Sequence, residues 1–244
     1  MRDVKVLKLQ GVLMITLFGS PASVFVRKPR ILLEEKKVKF IIDPINLYQY
    51  ISDEFKRASP LNKIPAFQDG SFTLADSSAI CAYIDRKYPI PKFYPDSPEE
   101  YGKVLWFEEY ADTVLFQTIA PCYYQTVLVP LYHDREPDQS AIDHALNYKL
   151  PPVAGYLESQ LINREFFVGE KFTIADVAVV SMFLNMYLSG FSLDPSFWPN
   201  LCRYLGHHFK RESFFSCRAD VESELLMIGK IRYENKSDEQ GKNL

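Results

Sequence analysis

Ser23 stands just ahead of a run in which Phe25, Ile31, Leu32 and Leu33 supply an apolar side and Glu34 to Lys37 closes with charge, the pattern of a helix. The first amides of a helix lack intrahelical partners and its N-terminal end is electropositive, so a hydroxyl there caps the helix and lies where an anion is favoured. Ser20 is its rival in the same turn. Asp76-Ser77 heads a second such segment, to Arg86, with Ala79, Ile80, Tyr83 and Ile84 on one face. Read alone, that pair is another cap, Lys63 is a solvated cation, and Pro65 is a trans proline opening an edge strand. The four cysteines, Cys81, Cys122, Cys202 and Cys217, stand far apart and form no CxxC pair, which fits a reducing compartment and gives no metal site.

These residues need elements to position them. The 244 residues allow one or two domains, and 47% hydrophobic content with 18 Phe and 15 Tyr is enough to bury a core. A net charge of −3, with no basic cluster longer than Arg27-Lys28-Pro29-Arg30, lacks the electrostatic footprint of nucleic-acid binding. No apolar run reaches the roughly 18 to 20 residues a membrane span requires. Lys5, Lys8 and the run from Gly11 to Phe18 resemble a secretory leader, but Met14 to Phe18 is needed as a core strand; residues 1–13 are then an extension ahead of Met14.

Met14 to Phe18, nearly all apolar and ended by Gly19-Ser20-Pro21, predicts a buried strand. The helix after Ser23 follows, with Pro29 predicting a kink or a late start because it removes a backbone bond. Val38 to Ile42 predicts a second strand, 43–59 an irregular connection, and Ile64 to Phe67 and Phe72 to Leu74 two strands around an Asp69-Gly70 turn. With the helix from Asp76 the order is β-α-β-loop-β-β-α, which is thioredoxin-like. Four prolines fall between Tyr88 and Pro98, and only helical patterns follow. The expected domains are 14–88 and an all-helical 99–228, joined by 89–98 and followed by a frayed polar tail, 229–244. In the second, a helix starts at Ser97-Pro98 and ends at Pro121; another spans Asp138 to Leu150, breaks at Pro151-Pro152 and resumes to Ile162. Thr173 to Asp176 caps a very apolar, central helix, and two amphipathic helices, Pro195 to Arg211 and Ser213 to Met227, close the chain.

Four motifs at these positions, Ser23-Val24-Phe25-Val26-Arg27, Pro60 to Phe67, Leu74 to Ile80 and Gly169 to Asp176, resemble the cytosolic glutathione transferases over nearly the full chain. The resemblance is to serine-type members. It implies a glutathione site in the first domain, an apolar electrophile site between domains, a homodimer and no metal. Ser23, with Ser20 as the alternative, would donate its hydroxyl to the glutathione sulfur and help keep it a thiolate. Pro65 would be cis, with the Ile64 backbone pairing the cysteinyl part, and Lys63 would stand near the glycine carboxylate. Ser77 and its helix amides would take the γ-glutamyl carboxylate while Asp76 faces the ammonium. Phe107 and Tyr110, on the first long helix, are the candidates for the electrophile site. Val24 in place of the usual proline, Pro29 within the helix and Asp76 where glutamate is commoner depart from the family pattern. Thr173 and Asp176 are implied as a folding device.

The function this implies is conjugation of glutathione to apolar electrophiles in the cytoplasm. A glutathione-dependent peroxidase or reductase is the alternative among enzymes, weakened because neither position 20 nor 23 is cysteine. A non-catalytic relative that keeps the fold as a binding or regulatory module is the alternative of another kind, although such a module would have no use for the set of Ser23, Lys63, Ile64-Pro65 and Asp76-Ser77.

Overall fold

The structure is a computed structural model that describes residues 14–47, 51–133 and 135–241, with 227–241 as backbone only. The chain forms two compact units that divide between Tyr88 and Pro89.

In the first unit β1 (Ile15–Phe18), β2 (Phe40–Asp43), β3 (Ala66–Asp69) and β4 (Phe72–Ala75) form one sheet in the order β2-β1-β3-β4. β1 runs parallel to β2, with Leu17 opposite Ile42, and antiparallel to β3, with Leu17 opposite Phe67. Helices α1 (Val24–Glu35) and α3 (Ser77–Lys87) pack together against it. Leu17, Ile31, Leu32, Leu33, Phe67, Ile80 and Ile84 have no exposed surface. This is the expected thioredoxin-like arrangement. Three local expectations change. Pro29 lies inside an uninterrupted α1. The connection after β2 contains a short helix, α2 (Asp53–Ala58), capped by Ser52 and held by Phe55, which meets Phe18 edge-on at 6.2 Å. The hairpin loop is Gly70-Ser71, since Asp69 pairs with Phe72; the positive φ that closes the turn belongs to Gly70, at 65°.

The second unit is helical throughout. The segment expected as a linker, 89–98, packs into it: Phe93 is buried and its carbonyl accepts from the Ile174 amide at 3.2 Å. α4 (Pro98–Tyr110) runs through a π-helical turn (Ala111–Leu115) into α5 (Phe116–Tyr123), which leads into a second π segment (Tyr124–His133). Pro121 therefore does not end the helix. It lies between two stretches where the hydrogen-bond ladder is already offset, so its missing amide and bulky ring are tolerated. Likewise α6 (Gln139–His144) passes through a π turn (Ala145–Lys149) into α7 (Leu150–Gln160), whose first turn holds Pro151 and Pro152. The Leu150 amide still bonds the Ala145 carbonyl, five residues back, so the two prolines fall just after a stretch where the ladder is already offset and are tolerated there.

α8 (Ile174–Leu188) is the buried centre, with every residue from Ile174 to Leu184 enclosed. At its start Asp176 accepts from the Thr173 amide (2.8 Å) and hydroxyl (3.0 Å), the Phe167 amide (3.0 Å) and Tyr204 Oη (2.7 Å). Burial pushes the Asp176 carboxyl and the Tyr204 phenol upward. α9 (Pro199–His208) and α10 (Glu212–Gly241) complete the unit. α10 continues past Met227 through most of the segment expected to fray, a stretch rich in good helix formers and without proline. The expected extension, 1–13, lies outside the described residues.

Candidate functional site

The chain leaves β1 through Gly19, whose amide donates to the Asp43 carbonyl at 3.0 Å. Gly19 has φ +153°, and a Cβ there would stand 2.4 Å from Val26 Cγ2 and 3.4 Å from Ile64 Cβ. The backbone is thus threaded between the first turn of α1 and Ile64, a passage open only to glycine. This brings the serine turn beside the Ile64-Pro65 segment.

Within that turn the two serines divide the work. Ser20 Oγ accepts from the Ala22 amide at 3.2 Å and its carbonyl accepts from the Ser23 amide at 3.0 Å. Ser23, at φ −74° and ψ 123°, is the cap of α1, with Oγ accepting from the Val26 amide at 3.4 Å. Because Ser23 Oγ accepts from the backbone, its hydrogen is still available to donate. Ser23 is half-buried at the electropositive end of a twelve-residue helix.

The Ile64-Pro65 bond is cis, as the resemblance implied. Pro65 is buried, and Ile64 packs its side chain on the cluster of Phe18, Ile45, Phe55, Ala58 and Ala66. Among the described residues the Ile64 backbone makes no hydrogen bond. The preceding loop is fixed by Ser59, 1% exposed, whose hydroxyl donates to the Lys63 carbonyl (2.6 Å) and accepts from the Lys63 amide (2.9 Å). The Lys63 side chain is exposed.

Asp76 has φ +77°, rare for a residue with a Cβ and worth of order 1–3 kcal/mol of strain. In that conformation Oδ1 accepts from the Ser78 and Ala79 amides, at 3.0 and 3.1 Å. The Oδ1 side of the carboxylate caps α3, and among the described residues Oδ2 has no partner. Ser77, 4% exposed, begins the helix.

α1 and α3 run parallel. Lys28 Nζ bonds Ser78 Oγ at 3.0 Å near their starts, and Lys36 Nζ pairs with Asp85 at 2.7 Å and donates to the Tyr88 carbonyl near their ends. Two electropositive helix starts therefore lie side by side, one headed by Ser23 and the other by Asp76-Ser77. Such a pair suits an elongated ligand with two anionic groups. Neither Ser59 nor the Lys28-Ser78 bond was foreseen from sequence; the only signal for Lys28 was its place in a basic run.

Of the second-unit candidates, Phe107 is 3% exposed and its ring lies against Phe167 at 4.8 Å and Tyr156 at 6.2 Å, which makes it core. Tyr110 is partly exposed and meets Tyr156 at 5.1 Å; burial pushes its phenol upward. Trp106, 54% exposed, donates through Nε1 to Tyr156 Oη at 2.8 Å, and with Tyr101, 43% exposed, it is an aromatic this helix offers outward. Among the cysteines, Cys81, Cys122 and Cys217 are buried, and burial pushes Cys122 up to about 11. Among the described residues no cluster of His, Cys, Asp and Glu could hold a metal ion, and no helix is long and apolar enough to cross a membrane.

Residues 17–96 match the family model "Glutathione S-transferase, N-terminal domain" and residues 119–212 match "Glutathione S-transferase, C-terminal domain". Over 139 residues the chain is 29% identical to human glutathione S-transferase theta-1, covering 56% of this chain and 58% of that protein. Over 155 residues it is 28% identical to rat elongation factor 1-gamma, covering 62% of this chain and 33% of that one. The chain thus spans little more than half of the first relative and a third of the second. Among solved structures, maize glutathione S-transferase I in complex with an atrazine glutathione conjugate superposes with a TM-score of 0.77 at 26% identity, over 86% of this chain and 98% of that one.

Proposed function

This chain belongs to the glutathione S-transferase family, and we propose that it binds glutathione in its first unit and holds the thiol ionised for attack on an apolar electrophile. The observation that carries the reading is the Ser23 hydroxyl, which accepts from the Val26 amide and so keeps its hydrogen for the sulfur. A hydrogen bond to a charged group contributes about 1.5–3 kcal/mol, so it lowers a thiol pKa from about 8.5 by one to two units. The helix end adds to this in the same direction. Serine stays protonated throughout and needs no basic partner, unlike a serine nucleophile. The thiolate then forms the sulfur–carbon bond while the leaving group departs with its bonding pair.

The rest of the tripeptide fits the same reading. The unbonded Ile64 backbone is available to pair with the cysteinyl amide and carbonyl, and Lys63 reaches the glycine carboxylate. Ser77, through its hydroxyl and its own amide at the start of α3, takes the γ-glutamyl carboxylate, and Asp76 Oδ2 takes the ammonium. The homodimer and the cytoplasmic setting are part of the proposal by family likeness. The test is retention on immobilised glutathione, followed by ultraviolet titration of the bound thiol. A bound thiol that ionises below the free one supports the reading, and failure to bind rejects it.

The likeness to elongation factor 1-gamma favours a second reading, a family member that serves as a binding module. Glutathione bound without a lowered thiol pKa, and no turnover of either aryl halides or hydroperoxides, would favour the module. Turnover of hydroperoxides alone would favour the peroxidase.

A further inference from the structure

Segment 195–211 carries three cations, Arg203, Lys210 and Arg211, and no carboxylate, in a chain whose net charge is −3. α9 turns its apolar side inward, where Leu201, Tyr204 and Leu205 are buried, and leaves Arg203, Gly206 and His207 exposed on the other. The winding continues past the helix, since the Lys210 amide donates to the His207 carbonyl at 3.2 Å, so the exposed Lys210 extends the same side. Arg211 differs: its guanidinium lies 4.0 Å from the centre of the Phe172 ring. A further cation joins the row from another element. Arg203 Nη2 donates to the carbonyls of Leu161 (3.4 Å) and Arg164 (3.2 Å), which sets the exposed Arg164 beside it. Among the described residues no carboxylate pairs with Arg164, Arg203 or Lys210. Glu158 is engaged with the start of α9 and Asp194 with the Ser196 amide, while Glu165 and Glu212, both exposed, pair with none of the three.

An aromatic tip stands at the head of this row. Phe197 is 72% exposed and its ring lies 5.8 Å from that of Trp198; Ile162, two residues past the end of α7, is 57% exposed. The tip is held in place: the Phe197 and Trp198 amides both donate to the Asp194 carbonyl at 3.1 Å, and Pro195 and Pro199 restrict φ on either side. One exposed Phe is ordinary by itself. A rigid aromatic anchor ahead of cations without countercharge is the arrangement of an interface hot spot, because little ordering remains to be done on binding and the charges select the partner.

We propose that this side of α9 is a docking surface for an acidic segment of a partner protein, whose carboxylates follow Arg164, Arg203 and Lys210 while an apolar side chain rests on Phe197. Charge complementarity sets the occupant. A bilayer is disfavoured because the apolar side of α9 faces the core and cannot enter lipid. Nucleic acid is disfavoured because so short a row of cations makes few phosphate contacts on a chain of net negative charge. The surface lies wholly within the second unit and does not depend on the glutathione reading.

The experiment follows the fluorescence anisotropy of a labelled, capped peptide, one Phe followed by six Glu, titrated with the full-length protein. The comparison probes are the same peptide with Lys for Glu, the same peptide with Ser for Phe, vesicles containing phosphatidylserine, and a single-stranded oligonucleotide. The Phe-Glu peptide is expected to bind, and to weaken about tenfold as salt rises from about 50 to 300 mM. Arg164→Glu and Lys210→Glu are each expected to weaken it about fivefold, the upper range for an exposed charge pair. Phe197→Ser is expected to weaken it about tenfold and to leave binding of the Ser-for-Phe peptide unchanged. Arg203 is left alone because it holds the carbonyls at the end of α7. Melting temperature and glutathione affinity should stay at the parent values in all three variants. If a charge reversal lowers the melting temperature, the neutral Arg164→Ser and Lys210→Ser decide in its place. No binding of the Phe-Glu peptide, equal affinity in parent and variants, or tighter binding of the Lys peptide, the vesicles or the oligonucleotide would each overturn the inference. A protein that binds this peptide and fails to bind glutathione supports the inference and overturns the glutathione reading alone.

Discussion

The hydroxyl of Ser59 is bonded both ways to the backbone of Lys63, donating to its carbonyl at 2.6 Å and accepting from its amide at 2.9 Å. With Asn62 at φ +51° and its amide on the Ser59 carbonyl, the loop between α2 and β3 is closed over one buried side chain. That loop delivers Ile64 to its place beside Gly19. Ser59→Ala leaves the Lys63 amide and carbonyl, in part-buried bonds, without their side-chain partner and should cost about 1–2 kcal/mol, read by urea denaturation. Glutathione affinity should fall with it, because the Ile64 backbone is no longer held. Ser59→Thr, which keeps the hydroxyl, should recover part of both; equal losses in Ala and Thr would assign the effect to packing.

Ser23 carries two roles that one substitution separates. Ser23→Ala removes a helix cap, a loss of about 1 kcal/mol in stability, and removes the hydrogen offered to sulfur. The bound thiol pKa should rise by about one to two units and turnover at neutral pH should fall, while glutathione affinity, set by the other contacts, stays near the parent value. Rates that match the parent from pH 6 to 9 would rule out the thiolate role. Ser20→Ala is the control, since Ser20 Oγ accepts from Ala22 inside the turn.

Much of the fold was legible because its signals are local. The apolar run of β1, the glycine of the hairpin, the Ser97-Pro98 start and the Thr173-Asp176 box each announce an element from adjacent residues. What was misread involved tertiary override. Pro29 predicts a kink or a late start and Pro121 and Pro151-Pro152 predict breaks, yet the first is carried within α1 and the others sit beside π-helical offsets. α2 went unseen because six residues give too short a periodicity. At the site, Ser23, Ile64-Pro65 and Asp76-Ser77 could be named from motifs, whereas Lys28 and Ser78 are 50 residues apart and meet only once α1 and α3 lie parallel. The burial of Phe107 was illegible for a similar reason: helical spacing does not tell which aromatic faces the core.

Cys122 offers a chemical test of the second unit. Burial raises its thiol from an ordinary 9.0 to about 11, so at pH 8 its thiolate fraction is about a hundredfold smaller than that of an unperturbed thiol. Alkylation with iodoacetamide at pH 8, followed by mass spectrometry, should leave Cys122 unmodified in the folded protein and label it after denaturation. The sign for stability follows from the same shift. The unfolded thiol gives up its proton first as pH rises, so the contribution tied to this group is whole below about pH 9 and lost as pH climbs toward 11. Ready labelling of Cys122 in the native state would contradict the buried placement.

Helix α9 begins without a cap of its own, since its flanking residue is Trp198, which has no side-chain hydrogen bond to the helix. Glu158 of α7 does the work from a distance in sequence: one oxygen accepts from the Asn200 amide at 3.0 Å and from Asn200 Nδ2 at 2.6 Å, and the other accepts from the Leu201 amide at 2.7 Å. A carboxylate at this end also meets the positive pole of the helix, so the charge counts as well as the bonds. Glu158→Gln keeps the shape and one acceptor and should cost about 1 kcal/mol, while Glu158→Ala leaves the first amides of α9 without protein partners and should cost about 2–3 kcal/mol. Because these bonds lie within the second unit, glutathione affinity of the folded fraction should be the same in both variants as in the parent. Denaturation midpoints that fail to order as parent, Gln, Ala would show that α9 holds its start by packing alone.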